Sequence, residues 1–398
     1  MATHHTLEMP TIQLPKVKVK DSGSWWVAFR AALVTATASI FLHLWVLLVL
    51  APPGSPGLWA RVMSWDADLY RQVAQNGYPS GLTHDPVTGK LQGSNLAFSP
   101  LYPLLERFVH LFGASWTGAA MAVSWVSMVA CLALVHRLAT DLYGPAAAVP
   151  AMVLVGCVQP MALVFALGYP DGGLFLTIGL GAILCARSKK WLWAGALAAL
   201  AGITRPTGVA VTVTVAALAW VAWRDSSKND RHYSIAGSLL GCVGTPGYLL
   251  WVALRTGHLT AWFAVQQAGW GTHWDWGVSF WQFLTGSALH ANGIDPMVDI
   301  VTALGVFVYT AFTVWSARKS EIGVLAAWPA VVLIMTVGQS NYTCVKLRLL
   351  LAAALCFLPL AKRLTAWSPL ARWTLLVSLT LLSAWWGWAM LNVWHWAL

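Results

Sequence analysis

Apolar runs of about 17–25 residues follow one another along most of this 398-residue chain, and they leave it few ways to fold. Hydrocarbon offers no hydrogen-bond partner to a peptide group, so a lipid-solvated chain is helical or forms a closed barrel. The runs lack the period-two alternation of barrel strands. Only 10% of the residues are charged, against about 25% in a soluble domain. The sequence therefore predicts an all-α, polytopic transmembrane helical bundle. The 26 Trp suit interfacial belts, where an amphipathic ring sits well at headgroup depth.

Eleven spans are expected, over about 28–52, 117–136, 146–168, 171–186, 191–204, 206–223, 234–254, 297–316, 322–338, 349–361 and 372–393. With the amino terminus in the cytoplasm, 16 of the 24 Lys and Arg fall in inner segments and 8 in outer ones. The reverse orientation would break the positive-inside rule at nearly every loop. Residues 1–27 then form a basic cytoplasmic tail and 28–398 a single membrane-embedded domain. Its long extracytoplasmic loops, 53–116 and 255–296, carry expected interfacial helices near Trp59–Tyr78 and over 101–113. The net charge of +10 calls for no nucleic acid, because a basic inner rim facing anionic membrane lipid accounts for it. No cleavable signal is evident, and the six Cys show neither a disulfide framework nor metal-ligand spacing. Asn341-Tyr342-Thr343 reads as a glycosylation sequon in an outer segment.

Polar residues collect at the outer ends of the spans. Trp65-Asp66-Ala67-Asp68-Leu69-Tyr70 puts two carboxylates beside the first span. On a helix Asp66 and Tyr70 share a face and Asp68 points elsewhere, so the two acids would do different jobs. A carboxylate at a lipid boundary is costly unless it is used. Three further turns lie at span mouths: Tyr169-Pro170-Asp171, Thr204-Arg205-Pro206-Thr207-Gly208, and Lys346-Leu347-Arg348. For any one Arg the bland reading is snorkelling to headgroup phosphate. Arg205 is the stronger candidate, since Pro206 and Gly208 suggest a broken helix whose free amides bind an anion. Gln266, Gln267 and His290 are outer polar residues with structural or functional readings, and His43 and His136 read as ordinary membrane hydrogen-bonders.

A carboxylate pair at a membrane surface, away from nucleotides, is what a sugar transferase with a lipid-linked donor needs. Two other classes compete: a lipid or lipid-linked-sugar flippase or transporter, and a non-catalytic scaffold of the same fold. Transport calls for polar sites at the midplane, whereas here charge is sparse within the spans.

Several of these residues form an ordered set. Trp65-Asp66…Tyr70…Ala74…Gly77-Tyr78 resembles the WDxxxY…IAxxGY signature of the GPI mannosyltransferase II (PIG-V) family, within the GT-C superfamily of membrane glycosyltransferases. Phe98-Ser99-Pro100-Leu101-Tyr102-Pro103-Leu104 is similar to its FFPLYPL stretch, and Tyr169-Pro170-Asp171 to its Tyr-Ser-Glu turn. Thr204–Gly208 resembles its T-R-x-x-G turn, Gln267 and Trp270 its Q-x-x-W element, and Arg348 the Arg before its late Pro-ending helix. The matches run in order from about residue 60 to 360. The family has Glu where this chain has Asp171, and relatives often lack an acid at the position of Asp68.

The resemblance implies a GT-C-type bundle and an inverting transferase, and points to a bacterial member, since members occur in bacteria with no GPI to build. Such an enzyme moves mannose from polyprenyl-phosphate mannose to an acceptor hydroxyl of a glycan, lipid or protein at the extracytoplasmic face. The setting would be the bacterial plasma membrane, or the endoplasmic reticulum in a eukaryote. Asp66 would be the general base, with Asp68 and Asp171 as secondary acids. Arg205, Arg348 and Lys346 would meet the donor phosphate, and Tyr70, Tyr102, Tyr169, Gln267, Trp270 and His290 would line the sugar and acceptor pocket. No cofactor is implied; a divalent metal is left open, because basic residues can balance the leaving monophosphate.

Overall fold

The computed structural model describes residues 24–223, 227–286, 294–318 and 322–394. The tail over 1–23, including Lys16, Lys18 and Lys20, lies outside the described residues, as do Arg224, His290 and Lys319. In chain order the helices are α1 Trp25–Val49, α2 Leu58–Val62, α3 Asp66–Asn76, α4 Leu101–His110, α5 Trp116–Tyr143 and α6 Ala148–Gly156. There follow α7 Gly173–Arg187, α8 Trp191–Thr204, α9 Val209–Ala222, α10 Lys228–Gly241, α11 Gly244–Thr256 and α12 Ala261–Trp270. The last are α13 Val278–Thr285, α14 Ile294–Arg318, α15 Ala327–Val337, α16 Val345–Leu350, α17 Leu358–Leu364 and α18 Pro369–Asn392. The strands β1 His273–Trp274 and β2 Gln339–Ser340 pair antiparallel.

Among the described residues, five stretches are long and apolar enough to cross a membrane: α1, α5, Lys228–Thr256 across α10 and α11, Met297–Arg318 within α14, and α18. Shorter apolar helices pack among them, with α7 and α8 lying between α5 and α10. A 15-residue helix such as α7 is about 22 Å long, short of a hydrocarbon core of about 30 Å, and most of its side chains are buried in protein. These helices occupy the core together with α5, and the other four long stretches face outward: α1 exposes Val34, Phe41 and Trp45.

The chain departs from the expected elements where it meets the loop end of the bundle. The stretch expected as one span over 146–168 is helical only to Gly156, and a 3₁₀ turn over Ala162–Ala166 follows. Pro160 lacks an N–H and blocks continuation. Gln159 repairs the break: its amide nitrogen donates to the Leu154 carbonyl, while Tyr309 and Ser383 donate to it. The helix expected near 59–78 is likewise two pieces, α2 and α3, separated at Met63–Trp65. The late span over 349–361 begins as α16, tightens into a 3₁₀ run over Leu351–Phe357 and resumes as α17.

The 257–286 segment is a structured cap. There α12 packs on the 95–97 turn, Gln266 Nε2 donates to the Ala97 carbonyl at 3.2 Å, and β1 pairs with β2 just before α16. Tyr78 and Tyr248 both donate to the Phe98 carbonyl at 2.7 Å, which fixes the strip beneath that cap.

Candidate active site

Local chemistry sets the position of each charged residue. Trp65, with φ 59, turns the backbone sharply before α3, a conformation L-residues rarely adopt. Asp66 and Asp68 then fall in the first turn of α3, where unpaired amides and the helix dipole favour carboxylates. Tyr169 Oη donates to the Ser64 carbonyl at 3.0 Å and Gly168 N to the Val62 carbonyl at 3.3 Å. The 168–171 turn is thus pinned to the gap between α2 and α3, which brings Asp171 beside Asp66.

Arg205 is extended, with φ −157 and ψ 152, because Pro206 disfavours the helical region for the residue before it. The 3₁₀ turn Pro206–Gly208 folds back so tightly on α8 that a Cβ at Gly208 would lie 2.4 Å from Gly202 N. Only glycine fits there. Arg348 enters from α16, which is buried along its length.

The four groups meet. Arg348 Nη2 lies 2.7 Å from Asp66 Oδ2, and Arg348 Nε lies 3.4 Å from Asp171 Oδ1. Arg205 also pairs with Asp171, whose side chain is 3% exposed. Arg348 Nη1 is buried without a hydrogen-bond partner among the described residues. The Arg348 guanidinium lies over the Tyr169 ring, 5.2 Å from its centroid. Burial lowers the pKa of Arg205; it is also the largest single influence on Arg348, but Asp66, Tyr169 and Tyr70 together outweigh it and the net shift is upward. Two cations and two anions therefore form one cluster, with Asp171 and Arg348 buried and Asp66 and Arg205 partly exposed.

Asp66, Arg205 and Arg348 open onto a cavity of about 140 Å³. Tyr70 lines it as well, packed edge-on against Phe98 and Tyr102 at 4.9 and 5.4 Å. Trp270 reaches it from the cap, edge-on to Phe98 at 5.4 Å. This volume falls below the ~300–1,000 Å³ of drug-sized ligand sites and suits a small polar headgroup.

Other candidates stand apart from the cavity. Asp68 lies across α3, bound by Arg71 and by Gln72 Nε2 at 2.8 Å, beside a separate surface dent. Lys346 is buried, and its ammonium donates to the Thr336 and Gln339 carbonyls at 2.8 and 2.9 Å, which leaves it a backbone clamp rather than a cavity group. Burial pulls its pKa down to about 8, against the pull of Asp275. Tyr102 is buried behind Tyr70, donating to the Ala120 carbonyl at 3.0 Å. Tyr169 supports Arg348 from beneath. Gln267 is exposed on α12, and its neighbour Gln266 lines the cavity instead. His290 lies outside the described residues. Among the described residues no three His, Cys, Asp or Glu are grouped to hold a metal ion.

Sequence reasoning missed Gln339, Asn341 and Thr272, all of which line the cavity. The only signal at Asn341 was the sequon, yet its Oδ1 is buried, unlike that of a surface glycan acceptor.

No protein-family model and no curated protein matches the chain. Among solved structures it is similar to the crystal structure of ArnT from Cupriavidus metallidurans bound to undecaprenyl phosphate. The similarity covers 93% of this chain and 76% of that one, at 14% identity and a TM-score of 0.47. The functional reading therefore rests on the residues of the site itself.

Proposed function

We propose that this protein is a membrane glycosyltransferase of GT-C type. It moves a sugar, mannose by the resemblance of its motifs, from a polyprenyl-phosphate donor to an acceptor hydroxyl at the extracytoplasmic face. The observation that carries this reading is the cluster of Asp66, Arg205 and Arg348 on one cavity, with Asp171 behind it. The excess of Lys and Arg in the opposite loops supports the orientation.

In this account the acceptor oxygen attacks the anomeric carbon from the face opposite the phosphate. Asp66 takes the hydroxyl proton as the new C–O bond forms. The bond from the anomeric carbon to the phosphate oxygen breaks with its electron pair, and configuration inverts. Polyprenyl phosphate leaves with one more negative charge than it carried in the donor. The guanidinium forks of Arg205 and Arg348 stabilise that charge, and an enclosed cavity makes the stabilisation stronger than in water.

Purified protein in nanodiscs, given polyprenyl-phosphate mannose labelled in the sugar, tests the reading. Label should leave the lipid, by transfer to an added envelope extract or by slow hydrolysis. Binding without release would point to a scaffold, and movement of intact donor between leaflets to a flippase.

A further inference from the structure

Part of the polar lining that the proposed mechanism leaves unused, beside Ser99, Thr207 and Gln266, is built at the two short strands. Their register pairs His273 with Ser340 and Trp274 with Gln339. Carried one residue further, it sets Thr272 opposite Asn341. Both residues line the same cavity as Asp66 and Arg348, with Gln339 beside them.

This wall is held rigidly. Asp275 N donates to the Gly338 carbonyl at 3.1 Å, and Lys346 Nζ donates to the Gln339 carbonyl at 2.9 Å. The Trp274 ring lies so close to Gly338 that a Cβ there would stand 2.4 Å from it. Backbone on both sides of Asn341 is thus fixed: Tyr342 O accepts from Val345 N at 3.1 Å as α16 begins.

Within this frame Asn341 Oδ1 is buried and has no hydrogen-bond partner among the described residues. A buried amide oxygen without a donor is unfavourable and rarely kept without a reason. The missing partner must be a donor. A phosphate oxygen is an acceptor and would be repelled, whereas a sugar hydroxyl can donate. The cavity thus offers guanidinium donors for an anion and, at Asn341, an amide acceptor for a hydroxyl.

We infer that Asn341, assisted by Thr272, reads a hydroxyl of the donor sugar and sets which sugar the site accepts. This rests on the proposal that the donor is a lipid-phosphate sugar. A site built to hydrogen-bond a hydroxyl discriminates strongly against a sugar that lacks it or points it elsewhere, because its own polar group is then left unpaired.

Full-length protein in nanodiscs, titrated with polyprenyl phosphate, polyprenyl-phosphate mannose and polyprenyl-phosphate glucose, provides the test. Asn341→Ala should weaken binding of the preferred sugar lipid about 10- to 100-fold and narrow the gap between the two sugars. Affinity for sugar-free polyprenyl phosphate should stay within about twofold. Thr272→Val, which keeps side-chain volume, should act in the same direction and serves if Asn341→Ala lowers thermal stability by itself. Equal weakening of all three lipids, or no change in any, would overturn the assignment. Wild-type protein that binds none of the three would fail the underlying glycosyltransferase reading, and this inference with it.

Discussion

The Arg348 fork holds Asp66, with Nη2 2.7 Å from Oδ2, while its Nη1 is buried with no hydrogen-bond partner among the described residues. An Arg fork can hold a carboxylate with one nitrogen and offer another to a phosphate; a compact Lys ammonium cannot reproduce that geometry. Arg348→Lys, which preserves charge, is therefore expected to lower sugar transfer by about 10²-fold. Steady-state kinetics on the purified variant check this, and activity within a few-fold of wild type would show that charge alone suffices.

Asp171 is expected to act through the two arginines. It is buried and ion-paired to both Arg205 and Arg348. Asp171→Asn leaves two buried cations with Asp66 as their one carboxylate, and breaking a buried pair costs about 3–5 kcal/mol. Thermal unfolding in detergent should drop clearly, and a donor analogue should restore much of the loss by supplying negative charge. A variant as stable as wild type would remove Asp171 from that role.

Asp68→Asn should be mild. Its carboxylate is about one-third exposed and pairs with Arg71 on the far side of α3. Partly exposed pairs of this kind contribute about 0–1 kcal/mol. Transfer is expected to stay within about threefold of wild type, and a loss matching that of Asp66→Asn would instead indicate one shared acidic site.

Much of this arrangement was legible in the sequence. The spacing of Asp66, Asp68 and Tyr70 already set Asp66 and Tyr70 on one helix face, because a helix repeats every 3.6 residues whatever surrounds it. The residue Pro206 announced both the end of α8 and the extended backbone of Arg205. What could not be read depends on contacts far apart in the chain. The cap joins residues 272–274 to 339–341 by a two-residue ladder too short to leave a periodic signal. The packing of α12 on the 95–97 turn decided that Gln266 rather than Gln267 meets the cavity, and the ladder brings Asn341 to its wall. The resemblance marks Arg348 alone as the matching Arg, and the sequence still groups Lys346 with it as a donor-phosphate contact. They differ because residues two apart on a helix point about 200° apart, one to the α15 carbonyls and one to the acids.

Glu106 gives a pH-dependent expectation. On the inner face of α4 it is fully buried, neither carboxylate oxygen has a hydrogen-bond partner among the described residues, and burial raises its pKa to about 8 against the pull of Arg71. A carboxyl whose folded pKa exceeds its ordinary 4.5 stabilises the fold fully at low pH and loses that contribution as pH climbs to about 8. Melting temperature should therefore fall across that window by more in wild type than in Glu106→Gln. Parallel curves for the two proteins would show that Glu106 does not titrate there.

The role of Asp66 as the base is tested most directly by single-turnover sugar transfer alongside donor binding, in wild type and Asp66→Asn. The amide keeps the shape and loses the basicity, so the transfer rate should fall by about 10²–10⁴-fold. Donor affinity should hold or tighten, since Arg348 is released from its carboxylate partner. Near-normal turnover by Asp66→Asn, with donor bound as in wild type, would contradict the assignment of Asp66 as the base.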